Sequence, residues 1–232
     1  MLGTVVNVIT IILGSTLGLL LKKGIPERYK ETVMQGIGLA VLLIGLKMAF
    51  QANNELIVIL SLVIGGLIGE GLKIDYYLDV LAQKLQGAVG AKEGDFVKAF
   101  VTTSLVYCVG AMAIMGPIES GLTGNHKILF AKSTLDGISA VVFASTLGVG
   151  VIFSALPVFI YQGGITILAV ALKDILSQPV IDYMTATGGL LIVAIGLNIL
   201  GIKELKVANL LPAVFVSIAF TLIALNFFST YV

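Results

Sequence analysis

Charge is scarce in this chain, with 14 Lys and Arg and 13 Asp and Glu among 232 residues. Most of it stands between long apolar runs. The few polar residues in or against those runs carry the chemical interest, because a charge within lipid is costly and persists where it has a partner or a task. Lys47 lies about one turn from the end of an apolar run. Glu70 sits in Gly69-Glu-Gly71 at the end of another. Glu119 follows Gly116-Pro-Ile, and Asp136 follows Lys132-Ser-Thr-Leu. Glu119 and Asp136 suit cation coordination or a coupling proton; Lys47 and Lys132 suit an anion, so the sign of any bound solute stays open. Plainer roles compete: Lys47 snorkelling to headgroups, Glu70 pairing with Lys73 one turn on, and Glu119 and Asp136 as loop residues flanking Pro117–Leu135.

Beside that loop lies an uncharged stretch of 36 residues, Gly137–Leu172. It holds Ser139, Ser145, Thr146, Ser154, Tyr161, Gln162 and Thr166. Buried hydroxyls and amides need partners, and some hydroxyls find them on their own helix carbonyls. Gln162-Gly163-Gly164 points instead to a broken or closely packed helix beside a polar cavity. Thr102, Thr103, Ser104, Tyr107 and Cys108 add polar groups just upstream. Together these residues outline a hydrated pathway. Enzyme chemistry lacks its parts. One cysteine and one histidine exclude a cysteine-rich metal site, and no metal or cofactor is expected. There is no phosphate-cradling Gly-x4-Gly-Lys-Ser loop. Gly137-Ile-Ser-Ala140 departs from an intramembrane serine-protease motif, and Lys132 and Ser133, as sequence neighbours, do not face each other on a helix.

The elements that must position these residues are membrane helices. The chain is 58% apolar and 12% charged, against about 45–50% and about 25% in soluble domains, and its mean hydropathy is +1.08. A water-soluble fold of this size could not hide that surface, and a net charge of +1 draws no nucleic acid. The expected fold is an all-α polytopic membrane protein of eight spans: Leu2–Leu21, Val33–Phe50, Leu56–Leu72, Phe96–Met115, Gly137–Ser154, Pro157–Leu172, Thr185–Gly201 and Val207–Phe228. The first, followed directly by Lys22-Lys23, reads as a retained helix. Ten lysines and arginines fall in loops on one side and three on the other, which places both termini outside the cytoplasm. Residues 137–172 either cross twice with a tight turn at Phe153–Pro157 or re-enter as half-helices. Tyr76–Gln86 reads as an interfacial helix, and Pro26 suits the first turn of a short one.

Shifting the chain by 151 residues lays Gly38-Leu39-x4-Ile44-Gly45-Leu46 on Gly189-Leu190-x4-Ile195-Gly196-Leu197. Ile9, Leu17, Leu21, Leu60 and Val63 fall on Ile160, Leu168, Leu172, Leu211 and Val214, and Asn198 takes the place of Lys47. Spans 1–3 thus correspond to spans 6–8, in opposite orientation, which is the plan of many secondary transporters. The expected organisation is one transmembrane domain: a three-helix unit at 1–72, an inner segment at 73–95, central polar helices at 96–154 and a second three-helix unit at 157–232. Gly14-x3-Gly18 and Gly65-x3-Gly69 are small-residue faces for packing within the chain or between two copies.

Several runs carry a family resemblance: Tyr107-Cys-Val-Gly-Ala-Met-Ala-Ile114, Gly116-Pro-Ile-Glu-Ser-Gly-Leu122, Lys132-Ser-Thr-Leu-Asp-Gly137, Phe143-Ala-Ser-Thr-Leu-Gly148 and Pro157-Val-Phe-Ile-Tyr-Gln-Gly163. With Asn7 and Gly14-Ser-Thr-Leu-Gly18, the chain resembles the domain of unknown function 554 family of bacterial inner-membrane proteins. The resemblance implies a multi-pass protein of the cytoplasmic membrane and no particular reaction.

The residues point to a transporter or channel for a small solute or ion, its pathway lined by spans 4–6. The candidates are Glu119, Asp136, Lys132, Tyr107, Ser139, Ser145, Thr146, Tyr161, Gln162, Lys47, Glu70 and Asn198. The expected partners are the lipid bilayer, a small solute or ion and a second copy of the chain. A non-transporting membrane scaffold or sensor is the alternative, since architecture alone does not set function.

Overall fold

The computed structural model describes residues 1–22, 27–77, 80, 83–84, 95–172 and 175–227. Among them there are helices and no strand: α1 (Leu2–Lys22), α2 (Glu27–Ala49), α3 (Glu55–Leu72), α4 (Asp95–Cys108), α5 (Ala111–Thr123), α6 (Lys127–Leu147), α7 (Gly150–Phe153), α8 (Ala155–Leu172), α9 (Gln178–Ile199), a 3-10 turn at Val207–Leu210, and α10 (Pro212–Phe227). Seven spans among the described residues are long and apolar enough to cross a membrane, with α7 and α8 forming one, and eight if the bent pair α4–α5 counts as a further one. Most of the interfacial piece expected at 76–86, and Pro26, lie outside the described residues.

Local chemistry sets the helix ends. Asn54, in extended backbone, accepts a hydrogen bond from the Leu56 N–H at 3.0 Å and caps α3. Pro179 stands in the first turn of α9 behind Ser177. Two breaks fall at glycines with positive φ: Gly110 (131°) between α4 and α5, and Gly148 (98°) after α6. The α4–α5 break bends the pair by 57°.

These breaks revise the expected spans. The fifth span begins at Lys127, ten residues before the expected Gly137. Lys132 and Asp136 are therefore helical residues of a span and not members of an outer loop. The polar start of that helix hid it from a hydropathy reading. Pro157 does not interrupt α8, because it occupies the third position of the helix, where its missing N–H has no intrahelical partner to lose. Pro117 and Glu119 lie within α5.

The chain forms two compact units, one of Met1–Val33 and Asp79–Lys173, the other of Met34–Leu78 and Asp174–Val232. In the first, α1 lies along α6 with both chains running the same way. Gly3 meets Leu129, Gly14 meets Gly137, and Gly18 meets Val141 and Ala144. A Cβ at Gly14 would sit on the Gly137 carbonyl oxygen, so only glycine allows this approach. In the second unit, α2 runs antiparallel to α9 and α3 antiparallel to the 3-10 turn and α10. Gly38 meets Leu200, Gly45 meets Gly189 and Val193, Gly65 meets Ala213, and Gly69 meets Asn209. Both expected small-residue faces are therefore occupied by helices of the same chain. Ile57, Val58, Tyr183 and Ala186 form a core of this unit.

Candidate functional site

Buried polar groups gather on α1, α6 and α8 in the first unit. Lys132 and Asp136 are one helical turn apart on α6, and the Lys132 ammonium donates to Asp136 Oδ2. Their side chains are 6% and 10% exposed. Four-residue spacing puts both on one helix face, and that face is the one packed on the glycine seam of α1. Asn7, on the same seam, donates its Nδ2 to Asp136 Oδ2 at 3.0 Å and to Gln162 Oε1 of α8 at 3.3 Å. Asn7 and Gln162 are wholly buried. The Tyr107 ring, from the end of α4, lies 6.0 Å from Lys132 Nζ, within cation–π range. A chain of four polar side chains from three helices thus runs Lys132–Asp136–Asn7–Gln162, roofed by an aromatic ring.

Hydrogen bonding in the network is incomplete. Asn7 Oδ1, Gln162 Nε2 and the hydroxyl of Thr4, one turn from Asn7, are buried with no partner. An unmade hydrogen bond at a buried group costs about 1–3 kcal/mol. The Tyr107 hydroxyl is likewise buried with no partner, and the nearby serine and threonine hydroxyls do not fill these positions, because they are used locally. Ser133 bonds the Leu129 carbonyl, Ser139 the Asp136 carbonyl, and Thr166 the Gln162 carbonyl.

Lys132, Asp136, Tyr107 and Gln162 are the sequence-derived candidates that the fold brings together. Ser139 stands beside them with its hydroxyl turned to backbone. Ser145 and Thr146 bond back to helix carbonyls, Ser145 to Val142 and Thr146 to Val142 and Phe143. Tyr161 is half-buried on α8, next to Gln162 in sequence. Glu119 is outside the network: its Oε1 accepts from Asn125 Nδ2 at 2.6 Å and holds the α5–α6 turn. The remaining three belong to the second unit. Lys47 is exposed in the last turn of α2, where a cation complements the helix dipole. Glu70 accepts from Asn209 Nδ2 at 2.7 Å and from Lys206 Nζ at 3.3 Å, not from Lys73, and so ties α3 to the 3-10 turn. Asn198 clamps the Leu205 backbone through two bonds of 2.8 Å.

Asn7 is the network member that the polar-residue reading passed over. An asparagine inside the first apolar run was the available signal. Its partners are more than a hundred residues away in sequence, so nothing local distinguished it from a packing residue. Among the described residues, no group of three or more His, Cys, Asp or Glu could hold a metal ion.

A family model described as "Protein of unknown function (DUF554)" matches residues 2–222. The chain is 34% identical over 220 residues to "Uncharacterized membrane protein YdfK" of Bacillus subtilis (strain 168), covering 93% of each chain. It is 31% identical over 217 residues to "Uncharacterized protein YqgA" of Escherichia coli (strain K12), covering 91% of this chain and 92% of that one. No solved structure matches it. A family match spanning nearly the whole chain, joined to helices of membrane-crossing length, identifies it as a membrane protein of the DUF554 family.

Proposed function

We propose that this protein is a transporter for a small solute or ion in the bacterial inner membrane, with its pathway through the first unit at the Lys132–Asp136 pair. The observation that carries this reading is the pair itself: two charges within a membrane-spanning helix, met by amides from two other helices. Ionisable residues at such depth mark substrate and ion pathways more often than they stabilise a fold. The pair lies on α6, facing Tyr107 three residues before the break at Gly110. Broken helices next to a polar site are a recurring arrangement in carriers.

The internal repeat gives a second line of support. Adding 151 to Leu2–Lys22, Glu27–Ala49 and Glu55–Leu72 yields 153–173, 178–200 and 206–223. The corresponding elements are Ala155–Leu172, Gln178–Ile199, and Val207–Leu210 with Pro212–Phe227. The pairs α2–α9 and α3–α10 run antiparallel, as inverted copies require. The parallel seam of α1 and α6 supports a single crossing by α4–α5, because either none or two would make these helices antiparallel. That reading gives eight crossings and leaves both termini on one side, which the lysine distribution makes the outside.

The test is reconstitution in proteoliposomes and flux measurement over a panel of inorganic ions and small organic acids and amines. Wild-type protein should move a member of the panel, and folded Asp136→Asn and Lys132→Gln variants should not. Equal flux in wild type and both variants, or no flux with any member, would overturn the proposal and favour a membrane scaffold whose ion pair only orders its helices.

A further inference from the structure

We infer that the Lys132–Asp136–Asn7–Gln162 network binds a small monovalent anion together with one proton, the proton on Asp136 and the anion on Lys132 and Gln162. This inference rests on the transport reading for its purpose, but not for its chemistry. The charge balance of the site is the starting point. In the structure, one ammonium and one carboxylate neutralise each other away from water. A buried site tolerates an added charge only with a compensating one. An anion that enters with a proton keeps the sum at zero: Lys132 ammonium with Asp136 carboxylate, plus A⁻ and H⁺, becomes Lys132 ammonium with A⁻ beside an Asp136 carboxylic acid. No bond other than the Asp136 O–H forms, and nothing is oxidised or reduced.

A cation would also need compensation, and the donor set argues against it. On Asp136 Oδ2 it would have to displace an ammonium already seated there, and on Oδ1 it would share one carboxylate with that ammonium. Among the described residues, no second carboxylate bonds the displaced lysine. Groups with hydrogen-bonding capacity to spare are mostly donors. Lys132 makes one hydrogen bond with its three N–H groups. Gln162 Nε2 makes none, and the Thr4 hydroxyl makes none. Protonation turns Asp136 into one more donor, while its other oxygen still accepts from Asn7 Nδ2. Asn7 Oδ1, an acceptor with no partner, belongs to the amide already bonded to Asp136, so the carboxylic O–H puts a donor on its bonded neighbour. One protonation thus puts a donor next to an orphaned acceptor and frees an ammonium for the anion.

The titratable groups facing Asp136 are few. On its own helix there is Lys132. From α4, Tyr107 faces the pair, its ring 6.0 Å from Lys132 Nζ, with Cys108 next to it in sequence. From α1 and α8 it meets the non-titrating amides of Asn7 and, through it, Gln162. Among the described residues Asp136 is therefore the one carboxylic acid at the network, and a single proton is the expected stoichiometry.

The experiment measures binding and proton uptake separately from flux. Purified wild-type protein in nanodiscs is titrated with sodium formate, sodium acetate and sodium nitrate in weak buffer with a pH-indicating dye. At least one salt should bind with uptake of about one proton per chain. Its Kd should rise about tenfold per unit of pH wherever Asp136 is ionised in the empty protein, as linkage to one proton requires. Asp136→Asn, which carries a permanent donor in place of the acid, should still bind but take up no proton, with a Kd flat in pH. Gln162→Leu should weaken binding and keep the one-proton stoichiometry. Proton release on adding sodium chloride, binding of an anion without uptake, or no binding by any of the three salts would overturn the inference. The transport reading fails differently, by anion binding with no flux in liposomes. Flux of a cation or neutral solute that depends on Lys132 and Asp136 would leave transport standing and remove the anion.

Discussion

Cutting the Lys132–Asp136 pair tests whether it is an energetic unit. The substitutions are Lys132→Met, Asp136→Leu and both together, each filling similar volume without charge. Removing one member of a buried ion pair leaves an uncompensated charge and costs about 3–5 kcal/mol. Side chains only 6% and 10% exposed warrant that buried figure without a discount for solvent screening. At roughly 2–4 °C of melting temperature per kcal/mol for a chain of this length, each single variant should melt roughly 6–20 °C below wild type. The double variant removes both charges and leaves chiefly the Asn7 amide short of one acceptor, a loss of about 1–3 kcal/mol. The singles sum to about 6–10 kcal/mol against that smaller loss, so the cycle should return a coupling energy of about 3 kcal/mol or more. The assay is thermal unfolding in one detergent, followed by circular dichroism, with denaturant titration as a second measure. Single variants within about 1 kcal/mol of wild type would refute the buried-pair reasoning. So would a double variant whose loss equals the sum of the singles.

Three further outcomes follow from the packing. Asn7→Leu removes hydrogen bonds to Asp136 and Gln162 and should cost about 2–3 kcal/mol and abolish flux, whereas Asn198→Leu, which loses only its clamp on Leu205, should cost about 1–3 kcal/mol and leave flux intact. Gly45→Ala and Gly69→Ala place a Cβ at 2.7 Å from the Gly189 carbonyl oxygen and at 2.6 Å from the Asn209 carbonyl carbon; thermal unfolding should show losses of about 1–3 kcal/mol each, because neighbouring backbone yields less readily than a side chain. Gly36→Ala and Gly164→Ala meet nothing within 4 Å and sit in helices, so the same assay should show no loss, or a gain of up to about 1 kcal/mol.

Much of this protein was legible in one dimension. Its solvent is lipid because 58% of its residues are apolar and stand in long runs, and a chain without water to satisfy its backbone forms helices. The glycines at 38, 45, 189 and 196 carry the spacing on which the proposed repeat rests, and helix boundaries 151 residues apart coincide to within a few residues. Gly14 and Gly18 announced a close helix contact, though not its partner.

Tertiary structure decided what hydropathy averages blur or cannot see. Lys132 and Asp136 looked like loop residues because charge lowers a window mean; in the fold they are one face of a spanning helix, turned to the α1 seam. Glu119, with equal claim from sequence, lies in α5 and accepts from Asn125 of the turn that follows. Asn7 and Gln162 lie 155 residues apart yet share a hydrogen bond, and no periodicity within either helix encodes that meeting. Composition and local pattern determine which segments enter lipid, since transfer free energy adds residue by residue. Which polar groups neutralise each other there depends on three helices arriving at one place, and that is a property of their packing alone.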